Sequence, residues 1–213
     1  MNVKYDLAGY PTKDTIKMLT FLLEEVIQTN DSFQPQGSER RKSITHSSFT
    51  CFQARSIPSI SIYAYLTRIL KYCPCANECF LALLVYFDRM AKTSSTRTNG
   101  LRIDSFNVHR LIISGVMVAS KLFSDVFFTN TRYAKVGGLP VSELNILELE
   151  FLSLNDFALF VSLEELQHYG DQLLNRWRKE HETEGDMIQQ TTVEEELAGP
   201  IRRRARHLSI DQG

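Results

Sequence analysis

Apolar residues recur along this chain at intervals of three and four, the spacing that lines one face of an α-helix. Ile16, Leu19, Leu23 and Val26 make the first such stripe. The helix is predicted from Thr12 to about Gln28, with Thr12 as its cap and Asp14 well placed in its first turn. Residues 1–10 carry no pattern and read as irregular. Residues 30–57 lose the periodicity: Asp, Ser, Gly, Pro and Gln replace it, with a charge run from Glu39 to Lys42, and a flexible linker is expected.

The ordered domain is expected to begin at Pro58 and to run over residues 58–160. Ser59 would cap a helix through Lys71, with Ile62, Tyr65, Leu66, Ile69 and Leu70 on one face. After a turn at Tyr72–Ala76 that holds Pro74, Asn77 would cap a second helix to about Ala91. Its Phe80, Leu81, Leu83, Leu84, Val85 and Phe87 point nearly all round, which predicts burial on several sides. A polar loop over 92–103 leads to a third helix from about Ser105 to Phe123, apolar around most of its circumference. Its Ser114, Gly115, Ala119 and Ser120 are small enough to let neighbours approach, as a central helix requires. A short helix from Thr131 to Val136 should stop at Gly137-Gly138, where a left-handed backbone is easy. A fifth helix follows from Val141 to Leu154, then an apolar segment with Phe157, Leu159 and Phe160.

Ser162 and Glu165 form a capping box that would open a last helix over 161–180. Leu163, Leu166, Tyr169, Leu173 and Trp177 would line its apolar face. Residues 181–213 are acidic, then polar, then basic, and disorder is predicted there. No strand alternation persists and no fixed repeat is visible. The pattern predicts an all-α fold: one five-helix unit with a flanking helix on each side.

Composition narrows the function classes. The 213 residues include 24 Lys and Arg against 25 Asp and Glu, which argues against a general nucleic-acid binder. No apolar stretch approaches the ~20 residues needed to cross a membrane, and no opening apolar run suggests a secretory signal. A soluble protein of the nucleus or cytoplasm is expected. The cluster Cys73, Cys75 and Cys79 lacks paired Cys-x-x-Cys spacing and a nearby His, so small residues filling a tight corner are favoured over a metal site. Gly137-Gly138 lacks the Lys-Ser/Thr of a phosphate-binding loop, and no nucleophile elbow or metal-ligand His pair occurs. His109 and His168 read as surface or rim residues. Neither catalysis, a cofactor nor a small-molecule ligand is indicated.

Two charges stand in unexpected places. Lys121 closes an otherwise apolar helix, and Glu148 falls on the stripe of Leu144, Leu147, Phe151 and Leu152. A buried carboxylate needs a partner. Either the two form an internal ion pair at the rim of the core, which the residues alone favour, or both stay accessible and grip a partner's backbone. Asp88-Arg89 poses the same question, with a structural pair to a basic residue such as Arg68 favoured.

The order Pro58-Ser-Ile-Ser-Ile, Tyr65-Leu66-Thr-Arg68-Ile69, Tyr86-Phe87-Asp88-Arg89, Asn107 to Lys121, Tyr133 to Gly138 and Glu143 to Leu152 resembles a cyclin box. It is similar to the plant P-type (U-type) cyclins, a group itself similar to fungal cyclins of the phosphate-sensing pathway. The resemblance covers about residues 11–30 and 49–178. It implies a regulatory subunit that binds and activates a cyclin-dependent protein kinase, in cell division or phosphate signalling. It also implies that Lys121 and Glu148 contact the kinase and that Phe157-Ala-Leu159 packs on the kinase's mobile helix. With these, Leu144, Leu147, Phe151 and Leu152 are expected to supply the apolar docking surface. The substrate-docking patch of cell-cycle cyclins and a second box are missing.

Two other readings remain from the residues. A cyclin-like fold could serve as a nucleic-acid-binding or transcription-related scaffold; the basic run Arg202 to Arg206 is short support for it. Ser209 follows that run at a spacing basophilic kinases accept, and a phosphate there would add roughly −2 charge.

Overall fold

A computed structural model of the chain describes residues 4–33, 50–96 and 102–197. Among them are seven α-helices and no strand: α1 (Thr12–Ser32), α2 (Ile62–Tyr72), α3 (Asn77–Thr96), α4 (Val108–Phe123), α5 (Asn130–Gly137), α6 (Val141–Leu154) and α7 (Leu163–Leu197). The all-α prediction holds, helix by helix.

The central position expected for α4 is observed. Twelve of its sixteen residues are buried, from Val108 to Ser120, and it packs on α2, α3, α5 and α6. Its start lies three residues later than predicted, because Asp104 and Asn107 tie the preceding turn: the Asp104 N–H donates to Asn107 Oδ1 at 2.9 Å and the Phe106 N–H to Asp104 Oδ1 at 2.8 Å. Asp104 to Val108 therefore form a built entry. α2 is capped by Ser61, which accepts from the Ala64 N–H at 3.2 Å, two residues after the Ser59 predicted. Thr129 caps α5, and Gly138 ends it in the left-handed region at φ 71°, as the Gly-Gly pair predicts.

α1 docks on α2 and α3 and runs to Ser32, a turn past its predicted end. Asn30 Nδ2 donates to the Ile103 carbonyl at 2.9 Å, and Ser105 bonds Asp31, so the helix end is fixed to the entry of α4. The expected linker is corrected at its far end. From Thr50 the backbone forms a 3₁₀ turn, Phe52 is wholly buried, and Arg110 donates to the carbonyls of Cys51 and Gln53. Residues 34–49 lie outside the described residues.

The N-terminal segment is also tied down. Tyr5 is 2 % exposed. Its N–H donates to Asp171 Oδ1 at 2.7 Å, its hydroxyl bonds Thr15 at 2.6 Å, and burial pushes that hydroxyl's pKa up to about 12. A β-carbon on Gly170 would lie 2.8 Å from the Tyr5 ring, so this mid-helix glycine makes room for it. The side chain of Asn77, predicted to cap α3, donates instead to the Tyr10 carbonyl at 2.7 Å.

Residues 4–175 belong to one unit and residues 176–197 to a second. Within the second, Trp177 stacks on His181 with centroids 3.6 Å apart. Helix is formed through Leu197, where disorder is predicted from residue 181 onward. The basic run and Ser209 lie outside the described residues.

Candidate functional site

The two misplaced charges meet. Lys121 Nζ, in the last turn of α4, lies 2.5 Å from Glu148 Oε1 on α6. A third residue, not singled out in the sequence, completes the cluster. Asn130, the first residue of α5, accepts from Lys121 Nζ at 2.7 Å and donates to Glu148 Oε2, also at 2.7 Å. It donates further to Asn145 Oδ1 at 2.8 Å. Three helices thus converge on one polar knot.

The knot sits at the rim: the Lys121 and Glu148 side chains are 29 % and 17 % exposed. The cation at the end of α4 complements the helix dipole. Because the pair is both made and partly open, the two readings of the sequence are compatible. The charges satisfy each other in the free chain and keep an edge toward solvent.

The predicted apolar docking surface divides. Leu144, Leu147 and Phe151 are fully buried against the core. They are a correction to the surface expected of them: at i, i+3 and i+7 they form the inward stripe of α6. Leu152 and Leu159 are half-buried, and Phe157 is 67 % exposed. The outward face of α6 presents Ile146 and Leu149 instead, 59 % and 64 % exposed. Their signal was in the sequence. A helix apolar on both faces, in a unit already full, leaves one face unpartnered.

The segment after α6 has an unusual backbone. Asp156 and Phe157 have φ of 50° and 57°, a left-handed pair without glycine. The buried Asn155 holds the turn by donating through Nδ2 to the Phe151 carbonyl at 2.9 Å, and the Phe157 N–H returns to the Leu152 carbonyl at 2.9 Å. α3 reaches across to the same segment. Tyr86 donates its hydroxyl to the Leu159 carbonyl at 2.9 Å. Arg89 donates to the carbonyls of Ala158 at 2.7 Å and Phe160 at 3.1 Å, and pairs with Glu165 at 2.8 Å. Phe160 and Leu163, expected to pack, are 79 % and 67 % exposed.

Arg68 is therefore not the partner of Asp88-Arg89. Asp88 binds Lys92 and the Tyr169 hydroxyl, both at 2.6 Å. Desolvation works against its charge, yet those two bonds hold its carboxyl below the usual range. His109 is not at the surface either: it is buried, with Nε2 2.9 Å from the Ile60 carbonyl. Glu165 accepts no role in a full capping box. Its N–H donates to Ser162 Oγ at 3.1 Å while its carboxylate turns to Arg89.

The cysteine corner holds Cys73 and Cys79 buried and Cys75 half-buried. A bond to Cys79, and burial after it, push the Cys75 thiol well above its ordinary pKa. Among the described residues, no group of His, Cys, Asp or Glu is placed to hold a metal ion. No described helix is long and apolar enough to cross a membrane.

A central apolar helix, α4, packed on α2, α3, α5 and α6 in an all-helical unit agrees with the fold of a cyclin box. The family pattern described as Cyclin matches residues 13–159, and the chain belongs to the cyclin family. It is 44 % identical over 200 residues to PHO85 cyclin-like protein psl1 of Schizosaccharomyces pombe, covering 92 % of this chain and 79 % of that protein. It is 43 % identical over 182 residues to PHO85 cyclin-7 of Saccharomyces cerevisiae, covering 81 % of this chain and 64 % of that protein. Cyclin-U4-1 of Arabidopsis thaliana is 42 % identical over 137 residues, 64 % of this chain and 63 % of that one. Fungal and plant cyclins both match, so the resemblance holds for the family. The plant group expected from the sequence is not singled out.

Proposed function

We propose that this cyclin is the non-catalytic regulatory subunit of a cyclin-dependent protein kinase, acting in cell-cycle or phosphate-linked signalling in the nucleus or cytoplasm. The observation that carries the reading is the partly open Lys121–Asn130–Glu148 knot, set on the helix that also displays Ile146 and Leu149. The docking surface is assigned to Lys121, Glu148, Ile146, Leu149, Leu152, Phe157 and Leu159. Leu144, Leu147 and Phe151 act from behind, as the core on which that face is mounted.

Kinase activity depends on a Lys–Glu pair whose Glu rides on a mobile helix. A partner that packs better on the active position of that helix shifts the population toward it. The apolar residues would supply the packing, and the two charges would add charge-assisted hydrogen bonds to kinase backbone groups. Relatives named PHO85 cyclins make a kinase of that kind the first to test.

Purified protein mixed with a panel of monomeric cyclin-dependent kinases is expected to co-elute with one and raise its activity. Joint replacement Lys121→Ala and Glu148→Ala should remove both effects while helicity is kept and melting falls by only a few degrees, the cost of the lost knot. A collapse of folding in that variant, with no specific loss of binding, would instead make the pair a purely internal one. A well-folded protein that binds none of the kinases would overturn the reading.

A further inference from the structure

We propose that Arg89 is the positioning residue of the docking segment. Its guanidinium, latched by Glu165, holds residues 156–160 in the strained conformation that displays Phe157 before any kinase arrives. The proposal rests on the kinase-docking reading above and adds a residue and a mechanism to it.

An exposed apolar loop left to itself would collapse its aromatics onto the nearest apolar surface. Here the opposite is found. Phe157 and Phe160 stand 67 % and 79 % exposed, although Asp156 and Phe157 must both take a left-handed backbone that L-residues disfavour. Strain of this kind persists only where the surroundings over-determine it. The surroundings are specific. Nη1 of Arg89 donates to the Ala158 and Phe160 carbonyls, and Nη2 donates to the Phe160 carbonyl and to both carboxylate oxygens of Glu165 at 2.8 and 3.0 Å. A planar fork with donors on both edges can bridge two carbonyls and a carboxylate at once, which a lysine ammonium cannot reproduce in that geometry. Tyr86 adds a hold on the carbonyl between them, that of Leu159. The bonds fall on the backbone, so the side chains of the segment stay free to be buried by a partner.

A segment already ordered before binding loses less conformational freedom when it docks. Arg89 therefore acts on the fraction of molecules that are ready to bind, without touching the kinase.

The test is a double-mutant cycle on the full chain, read as kinase affinity, with amide hydrogen exchange of residues 157–160 read in parallel. Arg89→Gln should weaken binding by roughly tenfold and speed exchange in the segment. Phe157→Ala should weaken binding on its own, and the double variant should be hardly weaker than Phe157→Ala alone, because the two act through one presented ring. Should Arg89→Gln not fold, Glu165→Gln keeps the guanidinium and its carbonyl bonds. It should loosen the segment and weaken binding by about threefold, the scale of a partly exposed ion pair. Unchanged exchange in folded variants overturns the latch whether or not a kinase binds. So do strictly additive losses of affinity. If the wild-type protein binds no kinase, the docking reading falls and this one with it; if it binds and Arg89→Gln binds equally well, only the latch falls.

Discussion

The ring of Phe151 lies so close to the backbone of Gly115 that a β-carbon there would sit 2.9 Å from its Cζ, and 2.2 Å from a methyl of Leu83. The close approach of α3, α4 and α6 depends on that missing atom. Alanine would gain up to about 1 kcal/mol in helix propensity, but overpacking a core costs about 1–3 kcal/mol. The Leu83 methyl can rotate away. Phe151 cannot easily yield, since it is held edge-on by Tyr86 at 5.9 Å and Phe87 at 6.5 Å between centroids. Gly115→Ala is therefore expected to lower stability by about 1–2 kcal/mol net, and Gly115→Val by more. Urea denaturation measures this; an alanine variant as stable as the parent would show that the ring gives way.

Asn130 should matter beyond its size. Replacing it by Ala leaves Lys121 and Glu148 paired but removes the group that bonds both. Hydrogen bonds to charged groups contribute about 1.5–3 kcal/mol, and part exposure of this knot places the loss near the lower end. A fall in melting temperature of a few degrees is expected, about 2–4 °C per kcal/mol for a chain of this size. No shift on calorimetry would mean that water replaces the amide without cost.

His109 gives stability a pH dependence of known sign. Burial lowers its pKa in the folded state, with Arg68 acting in the same direction and the Ile60 carbonyl partly opposing. Above about pH 6.5, the ordinary value, both folded and unfolded chains hold the ring neutral and it has no effect. Below that, the unfolded chain takes up a proton that the folded one resists, so stability falls as pH falls, at up to about 1.4 kcal/mol per pH unit, until the folded ring protonates too. His109→Gln keeps a donor for the Ile60 carbonyl and cannot titrate. Unfolding midpoints at pH 7.5 and 5.5 should therefore drop less in the variant than in the parent. Equal drops would assign the effect to other groups.

Tyr5 ties the start of the chain to α7. Deleting a fully buried aromatic side chain costs about 3–5 kcal/mol. Tyr5→Ala also breaks the contact with Thr15. A loss of about 3 kcal/mol is expected, together with faster proteolysis within residues 4–11. Unaltered protease resistance would show that α1 is held without this anchor.

The sequence made the helices legible because helical periodicity is local, and Glu148 was legible because a charge on an apolar stripe is an anomaly at any tertiary arrangement. The left-handed stop at Gly138 could be read for the same local reason. The orientation of α6 could not. With Leu144, Leu147 and Phe151 on one side and Ile146 and Leu149 on the other, only the neighbours decide which set goes inside. Arg89 was out of reach as well: its partners lie about seventy residues further on, and two of them are backbone carbonyls that every residue possesses. Asn130 looked like an ordinary residue near a helix start. The role of Gly170 becomes visible only when Tyr5 is seen against it.

The bond from the Tyr5 N–H to Asp171 spans 166 positions. During synthesis, α1 can coil as soon as it is made, but its outer anchor does not yet exist. The whole box and the first turns of α7 must be translated before Gly170 and Asp171 are available to receive Tyr5. Loop closure over such a separation is slow relative to helix formation. The nascent chain therefore passes through a stage in which the box is already translated while the segment around Tyr5 waits with its aromatic ring uncovered. Docking of Tyr5 should be among the last events of folding, a seal set on a structure otherwise complete.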